Sequence, residues 1–385
     1  MVKAAIIGIG NMGSVHANEI FDGKVPGLEL ACICDINPAR LEWAKERFGD
    51  KVKLFASSDE LFANADLFDA VIVAPPHYPH PELAITAFEH NKHVLVEKPA
   101  GVYAKKVREM NAAAEKTDKV FCIMYNQRTN PLYQKVRELI QSGELGSLKR
   151  MVWIVTNWYR SQSYHNSSAW RSTWSGEGGG VLINQCPHNL DLWQWMCGMP
   201  KKIRAFVGFG KYYNIEVEDD VTAYAEYDNG MTATFISSTG ESPGTNRLEI
   251  SGTKGKVVVE NNTLMFYRNE VDEREFNATY KGGFGNPPVW ECKIPLHTVA
   301  NEHNEILKNF ANAILKGDKL LSPGVEGING LTISNAIHLS AWTDNWVELP
   351  MNDDLFYDTL QDKIKNSTFV KVENEGNVLD LQKSF

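Results

Sequence analysis

The sequence predicts two domains of different class. Residues 1–125 read as an α/β domain with a parallel sheet, and residues 126–385 as an α+β domain with a mostly antiparallel sheet. Three observations carry this. Short apolar strands alternate with helices through the first domain. A Gly-X-Gly-X-X-Gly loop joins its first strand to its first helix. From about residue 147 onward, strand patterns succeed one another with few helices between them. A chain of 385 residues is long enough for each domain to bury its own core.

The elements follow in order. Residues 2–8 (VKAAIIG) form an apolar run ending in glycine, and a helix is expected from Gly13 to Asp22. A second strand, LELACICD, leads into the helix PARLEWAKERF, with proline at its start. DAVIVA, HVLVEK and KVFCIMYN are further strands, separated by helices. Continuous apolar strands alternating with helices mean a parallel sheet covered on both faces. In the second domain, KRMVWIVTNWY, VTAYAEYD, MTATFISS, RLEISG, KVVVEN and TLMFY read as strands, with a hairpin at Asp228-Asn229-Gly230. Helices are expected around 184–197, 301–316 and 326–342; the tail after Val347 has no clear pattern.

The formal net charge of −9 argues against a nucleic-acid or anionic-membrane partner. No apolar run reaches the roughly eighteen residues of a membrane span. The N-terminal residues read as a strand rather than a signal peptide. Six cysteines without a CxxC pair read as thiols in a reducing cytoplasm, which sets the expected location.

Gly8-Ile9-Gly10-Asn11-Met12-Gly13 is the first chemical signal. Its glycines permit a tight turn and close approach of a pyrophosphate, which the helix N-terminus then faces. Asp35 ends the second strand, where a carboxylate accepts hydrogen bonds from ribose hydroxyls and repels a 2′-phosphate. The expected cofactor is therefore NAD rather than NADP, although Arg40 nearby offers a phosphate partner.

A second signal is Val94-Leu95-Val96-Glu97-Lys98-Pro99, preceded by residues 74–80 (APPHYPH), and a third is Gly178-Gly179-Gly180 leading to His188. Together with the glycine loop, these resemble the glucose–fructose oxidoreductase/inositol dehydrogenase (Gfo/Idh/MocA) family along most of the chain. The resemblance implies an N-terminal Rossmann domain and a C-terminal domain with an open sheet, which commonly builds a homo-oligomer, a dimer or tetramer. It implies oxidation of a ring hydroxyl of a sugar, glycoside or inositol-like cyclitol, or reduction of the ketone, with Lys98 and His188 carrying the proton. Where the family usually has aspartate four residues before the histidine, this chain has Asn184, so His188 is expected to be less basic. Read as an N-cap, Asn184 shares a helix face with His188 and Asp191.

Lys98 lies at the carboxyl end of a parallel strand, where open α/β sheets bind ligands. A partly desolvated lysine there exchanges a proton with a carbinol oxygen. Pro75, His80, Glu97, Lys98 and Asn126 are expected at the cofactor, and Lys98, Arg128, Asn184 and His188 at the substrate, with Asn184 joining Lys98 and His188 in the catalytic group. Trp158, Tyr159, His165, Trp170 and Arg171 precede the glycines, where aromatic faces and a guanidinium suit a sugar. No metal is expected, because His77 and His80 lack a partner at ligand spacing. Two other functions share these motifs: glycoside cleavage through a transient keto-sugar, with retained cofactor and no net NADH, and a non-catalytic dinucleotide sensor.

Overall fold

The structure is a computed structural model and describes residues 1–296 and 302–372; the last part of the unpatterned tail lies outside them. The first domain contains β1 (Val2–Ile7), β2 (Leu28–Cys34), β3 (Lys53–Phe55), β4 (Ala70–Val73), β5 (His93–Val96) and β6 (Phe121–Ile123). They pair in parallel in the order β3-β2-β1-β4-β5-β6. Successive residues of each strand feed opposite cores. Ile7, Val73, Val94 and Val96 enter one core, while Ile6, Ile72 and Leu95 enter the other. This two-sided burial is why the strands read as unbroken apolar runs. The order turns back between β1 and β4, and ligands bind at such a switch point.

The second sheet contains β7 (Leu148–Val155), β8 (Lys202–Phe209), β9 (Glu218–Glu226), β10 (Thr232–Ser238), β11 (Asn246–Gly252), β12 (Gly255–Glu260), β13 (Thr263–Asn269), β14 (Val289–Ile294) and β15 (Val347–Glu348). Its order is β14-β13-β12-β11-β7-β10-β9-β8-β15. Every pairing is antiparallel except β7 with β10. The hairpin at residues 228–230 joins β9 to β10. Alternate residues of the central strands, among them Trp153, Phe235 and Ile250, are buried. Trp193, on the helix Pro187–Cys197, stacks on Phe235 at 5.9 Å between ring centroids.

Two helices depart from the sequence reading. Glu302–Lys316 comes late in the chain, yet its Ile306, Leu307, Phe310 and Ala311 join the core of the first domain with Ile6 and Ile33. A boundary at residue 125 therefore separates the sheets but not this helix. The tail contains the helix Asp353–Asn366, capped by the Asn352 side chain. Asp353 and Asp354 open it and Lys363 and Lys365 close it, complementing its dipole, and Phe356 and Leu360 are its buried anchors. Among the described residues, no helix is long and apolar enough to cross a membrane.

Candidate active site

The glycine loop ends at the helix Asn11–Phe21, whose N-terminus has no side-chain cap and no acidic residue in its first turn. Its first amides have no intrahelical acceptor and face outward for an anion. Gly8 is left-handed, at φ +84°, and a Cβ there would lie 2.6 Å from Pro75 N. A Cβ on Gly13 would lie 1.9 Å from Gly8 O. Both glycines are explained by backbone packing. Gly10 is not, since a Cβ there meets nothing within 4 Å. Its missing side chain leaves a cradle open over the helix N-terminus, and this fits a pyrophosphate.

Asp35 sits at the end of β2 with Oδ2 accepting from Ile9 N and Oδ1 from Asn37 N, both at 2.8 Å. These bonds fix the carboxylate beside the loop and leave each oxygen a lone pair for a ribose hydroxyl. Arg40 donates Nε to Ile9 O at 2.8 Å and lies over Trp43. It braces the loop from the same side. Replacing Asp35 by alanine is expected to narrow the NAD-over-NADP preference about tenfold or more, read as the ratio of the two Kd values. An unchanged ratio would mean that Asp35 does not read the ribose.

At the end of β5, Glu97 is buried and accepts from His16 Nε2 at 2.6 Å and from Lys98 N at 3.1 Å. Burial pushes its pKa up, but the His16 bond and the surrounding positive groups outweigh this and bring it down to about 2. Glu97 is thus a carboxylate at neutral pH, fully engaged by protein. Lys98 is half-buried and reaches the opposite domain, where Nζ donates to Asn184 O at 3.0 Å. Burial lowers its pKa, Glu97 and Glu177 work against this, and Arg171 and Arg160 add to it. His188 lies near enough to feel the Lys98 charge; burial first, then Lys98, hold its pKa well below the usual value. Its Nδ1 has no partner among the described residues.

Asn184 differs from the sequence reading. It ends the short helix Val181–Asn184, and the next helix, Pro187–Cys197, has Cys186 at its N-cap. The reason is remote in sequence: Glu218 of β9 accepts from Gly180 N at 2.8 Å and Leu182 N at 2.9 Å, so the earlier turn is the one capped. Asn184 and His188 therefore belong to different helices. The Asn184 side chain donates to Glu177 Oε1 and not to His188.

Arg128 sits in a buried ion-pair network. It is 1% exposed and forms a bidentate pair with Asp191, Nε at 2.8 Å and Nη2 at 2.6 Å, while Nη1 meets Glu326 at 2.5 Å. It ties the end of β6 to the second domain, with its bonds going to Asp191, Glu326 and Leu321 O. His80 is also a clamp. Its Nδ1 lies 2.7 Å from Pro99 O and its Nε2 2.8 Å from Pro75 O, joining the segments that follow β5 and β4. Burial lowers its pKa, so the neutral ring donates to one of these two carbonyls at a time. Asn126 is buried and donates to Glu302 Oε2 at 3.1 Å, leaving its own oxygen without a partner among the described residues.

The loop ahead of the glycines supplies one wall. Arg171 and Arg160 lie 4.4 Å and 5.2 Å from the Tyr164 ring centroid. Trp158 is half-buried, and Trp170 meets the His77 ring at 5.5 Å. His165 is buried, with Nδ1 on Ser172 Oγ at 2.7 Å, and burial brings its pKa down to about 3. Tyr159 is 52% exposed and holds no buried position in this wall.

Sequence reasoning missed three residues. His16 orients Glu97. Glu177 binds Asn184. His303, on the late helix, lies 6.0 Å from the His16 ring, and burial brings its own pKa down to about 4. Glu177 directly precedes the three glycines and was findable by position. His16 and His303 carry no local signal.

A parallel sheet with a glycine loop, a strand-end carboxylate and a desolvated lysine at the carboxyl end of β5 defines a two-domain, dinucleotide-dependent oxidoreductase. The chain belongs to the Gfo/Idh/MocA family. Residues 2–125 match the family model for the oxidoreductase NAD-binding Rossmann fold, and residues 133–258 match the GFO/IDH/MocA C-terminal domain. It is similar to levoglucosan dehydrogenase of Pseudarthrobacter phenanthrenivorans, with 24% identity over 390 residues, covering 91% of this chain and 98% of that one. Inositol 2-dehydrogenase of Rhizobium meliloti is 25% identical over 346 residues, covering 87% and 95%. Among solved structures, the WlbA dehydrogenase from Chromobacterium violaceum in complex with NADH and UDP-GlcNAcA aligns with a TM-score of 0.77 at 27% identity, covering 91% and 96%. The protein is an NAD-binding oxidoreductase of this family.

Proposed function

We propose that the protein interconverts a secondary ring hydroxyl and a ketone on a sugar, glycoside or cyclitol. The observation that carries this reading is Lys98. Its amine stands at the carboxyl end of β5, 3.0 Å from a carbonyl of the opposite domain, beside His188 and across the switch point from the glycine loop. NAD, when bound, supplies the hydride acceptor. The residues that would hold it are Gly8, Gly10, the amides of Asn11, Met12 and Gly13, and Asp35.

Lys98 takes the hydroxyl proton. Burial lowers its pKa, so the neutral amine is reached at a lower pH than for a solvated lysine. In the reverse direction the ammonium polarises the ketone oxygen and returns the proton. His188 stays a neutral imidazole, offering one N–H and one lone pair to hold the reacting oxygen. Trp158 and Trp170 give apolar faces for the C–H side of the ring, and Arg171 bounds the polar side. The names of the relatives, which act on levoglucosan and inositol, support a polyhydroxylated ring as substrate.

The test is NADH production, followed at 340 nm (the absorbance of reduced nicotinamide), across inositols, free sugars and glycosides. Reduction of NAD by at least one ring polyol is expected. Silence across the panel, with NAD still bound, would sink the proposal.

A further inference from the structure

Glu177 is a carboxylate that the chemistry above does not use. It is 1% exposed, and burial raises its pKa against the pull of Arg171, Ser172 and Asn184. Its partners are unusual for a structural ion pair. Oε2 accepts from Ser172 N at 2.5 Å, and Oε1 accepts from the Asn184 side-chain amide. Arg171 approaches only to 3.6 Å, and its Nη1 donates to Tyr164 Oη at 2.6 Å instead. The buried Arg128–Asp191 pair, with two direct bonds of 2.6 Å and 2.8 Å, shows what a closed pair looks like in this fold. The Glu177 charge is not closed off in that way.

Asn184 is held at both ends. Glu177 holds its side chain, and Lys98 Nζ donates to its backbone oxygen at 3.0 Å. The segment leading to it cannot drift. Glu218 holds the amides of Gly180 and Leu182, and Gly178 passes the first domain so closely that a Cβ would lie 2.2 Å from Val102 Cγ1. The backbone oxygen that receives Lys98 is therefore fixed by side chains of the second domain.

We propose that Glu177 is the positioning residue of Lys98: through Asn184 it sets the direction of the amine, and it supplies the buried negative charge that the neutral amide at 184 does not. This rests on Lys98 as the proton acceptor. The groups facing Lys98 come from several elements. Glu97 is its chain neighbour, Arg160 and Arg171 come from the loop before the glycines, and Glu177 precedes Gly178. His77 and His80 follow β4, His188 opens the helix Pro187–Cys197, and His303 lies on Glu302–Lys316; each of the four is affected by the Lys98 charge. Of the two carboxylates that act on Lys98, Glu97 is engaged by His16 and by Lys98 N. Glu97 acts on Lys98 more strongly, and Glu177 adds to it against the arginines from the side of the second domain.

The sign follows directly. A carboxylate stabilises the ammonium, so removing it lowers the pKa of Lys98. Oxidation needs the neutral amine, so the rising limb of the pH profile moves to lower pH.

The test reads Lys98 without needing a substrate. The NAD-loaded protein is labelled with trace acetic anhydride across a pH series, and Lys98 acetylation is followed by mass spectrometry. Glu177→Gln is expected to lower the Lys98 midpoint by about one pH unit. The double variant Glu177→Gln/Asn184→Asp, which moves the charge across the Glu177–Asn184 hydrogen bond, is expected to return it close to the parent. A midpoint unmoved in Glu177→Gln overturns the proposal. If Glu177→Gln does not fold, Glu177→Asp, which withdraws the carboxylate from Asn184 by one carbon, decides, and a midpoint that fails to fall overturns the proposal. The kcat/KM profile is then measured on the best ring polyol. A rising limb that moves with the midpoint supports both readings. A shifted midpoint with an unshifted limb supports the Glu177 effect and removes Lys98 as the proton acceptor.

Discussion

Replacing Lys98 by alanine is expected to lower kcat by about 10²–10⁴-fold, the usual worth of a placed acid–base group. NAD affinity is expected to stay within about a factor of two, or less than about 0.5 kcal/mol. The two effects separate because the cofactor-holding residues Gly8–Gly13 and Asp35 lie at the ends of β1 and β2, whereas the amine crosses to Asn184 in the other domain. Lys98→Arg is expected to leave the rate near the alanine level. A guanidinium keeps the charge but does not release its proton at working pH. The measurement is single-turnover NADH formation on a ring polyol, with NAD binding followed by calorimetry. An alanine variant that keeps most of its turnover would mean the proton goes elsewhere.

The largest stability effect is expected at Arg128. Arg128→Met leaves the buried Asp191 carboxylate facing an apolar side chain, with only the Gln194 amide at 2.9 Å still attached. Breaking a buried pair from one side costs about 3–5 kcal/mol, readable as a lower midpoint in urea. The double change Arg128→Met/Asp191→Leu is expected to recover much of the loss, because no charge is then stranded. If Arg128 instead bound substrate, the single variant would raise KM and leave the urea midpoint in place.

Arg128 also shows where sequence reading stops. An arginine just after a strand at the carboxyl end of a parallel sheet has the same local pattern whether it faces a ligand or a carboxylate. Asp191 lies 63 residues further on, and only the packing of its helix against the end of β6 makes the pair. The same holds for Asn184. Its position before Pro187 fits a cap, but Glu218 of β9 satisfies the earlier amides and shifts the helix start. His303 becomes a neighbour of His16 because Phe310 and Ile306 bury their helix against the first sheet. No periodicity within residues 302–316 says which sheet that helix covers.

What the sequence determined by itself is local or periodic. The two-sided apolar strands imply a covered parallel sheet. The glycine loop needs only a strand before it, a helix after it and Asp35 at the next strand's end, all within the first 35 residues. Lys98 is placed at the carboxyl edge of the parallel sheet by the strand it follows. Tertiary structure alone decided which charges meet: Glu97 with His16, Arg128 with Asp191, Asn184 between Glu177 and Lys98. Backbone conformation answers to near neighbours in the chain. A buried charge answers to whatever the fold brings within about 4 Å, where low dielectric makes the partner decisive, and that distance carries no trace in sequence separation.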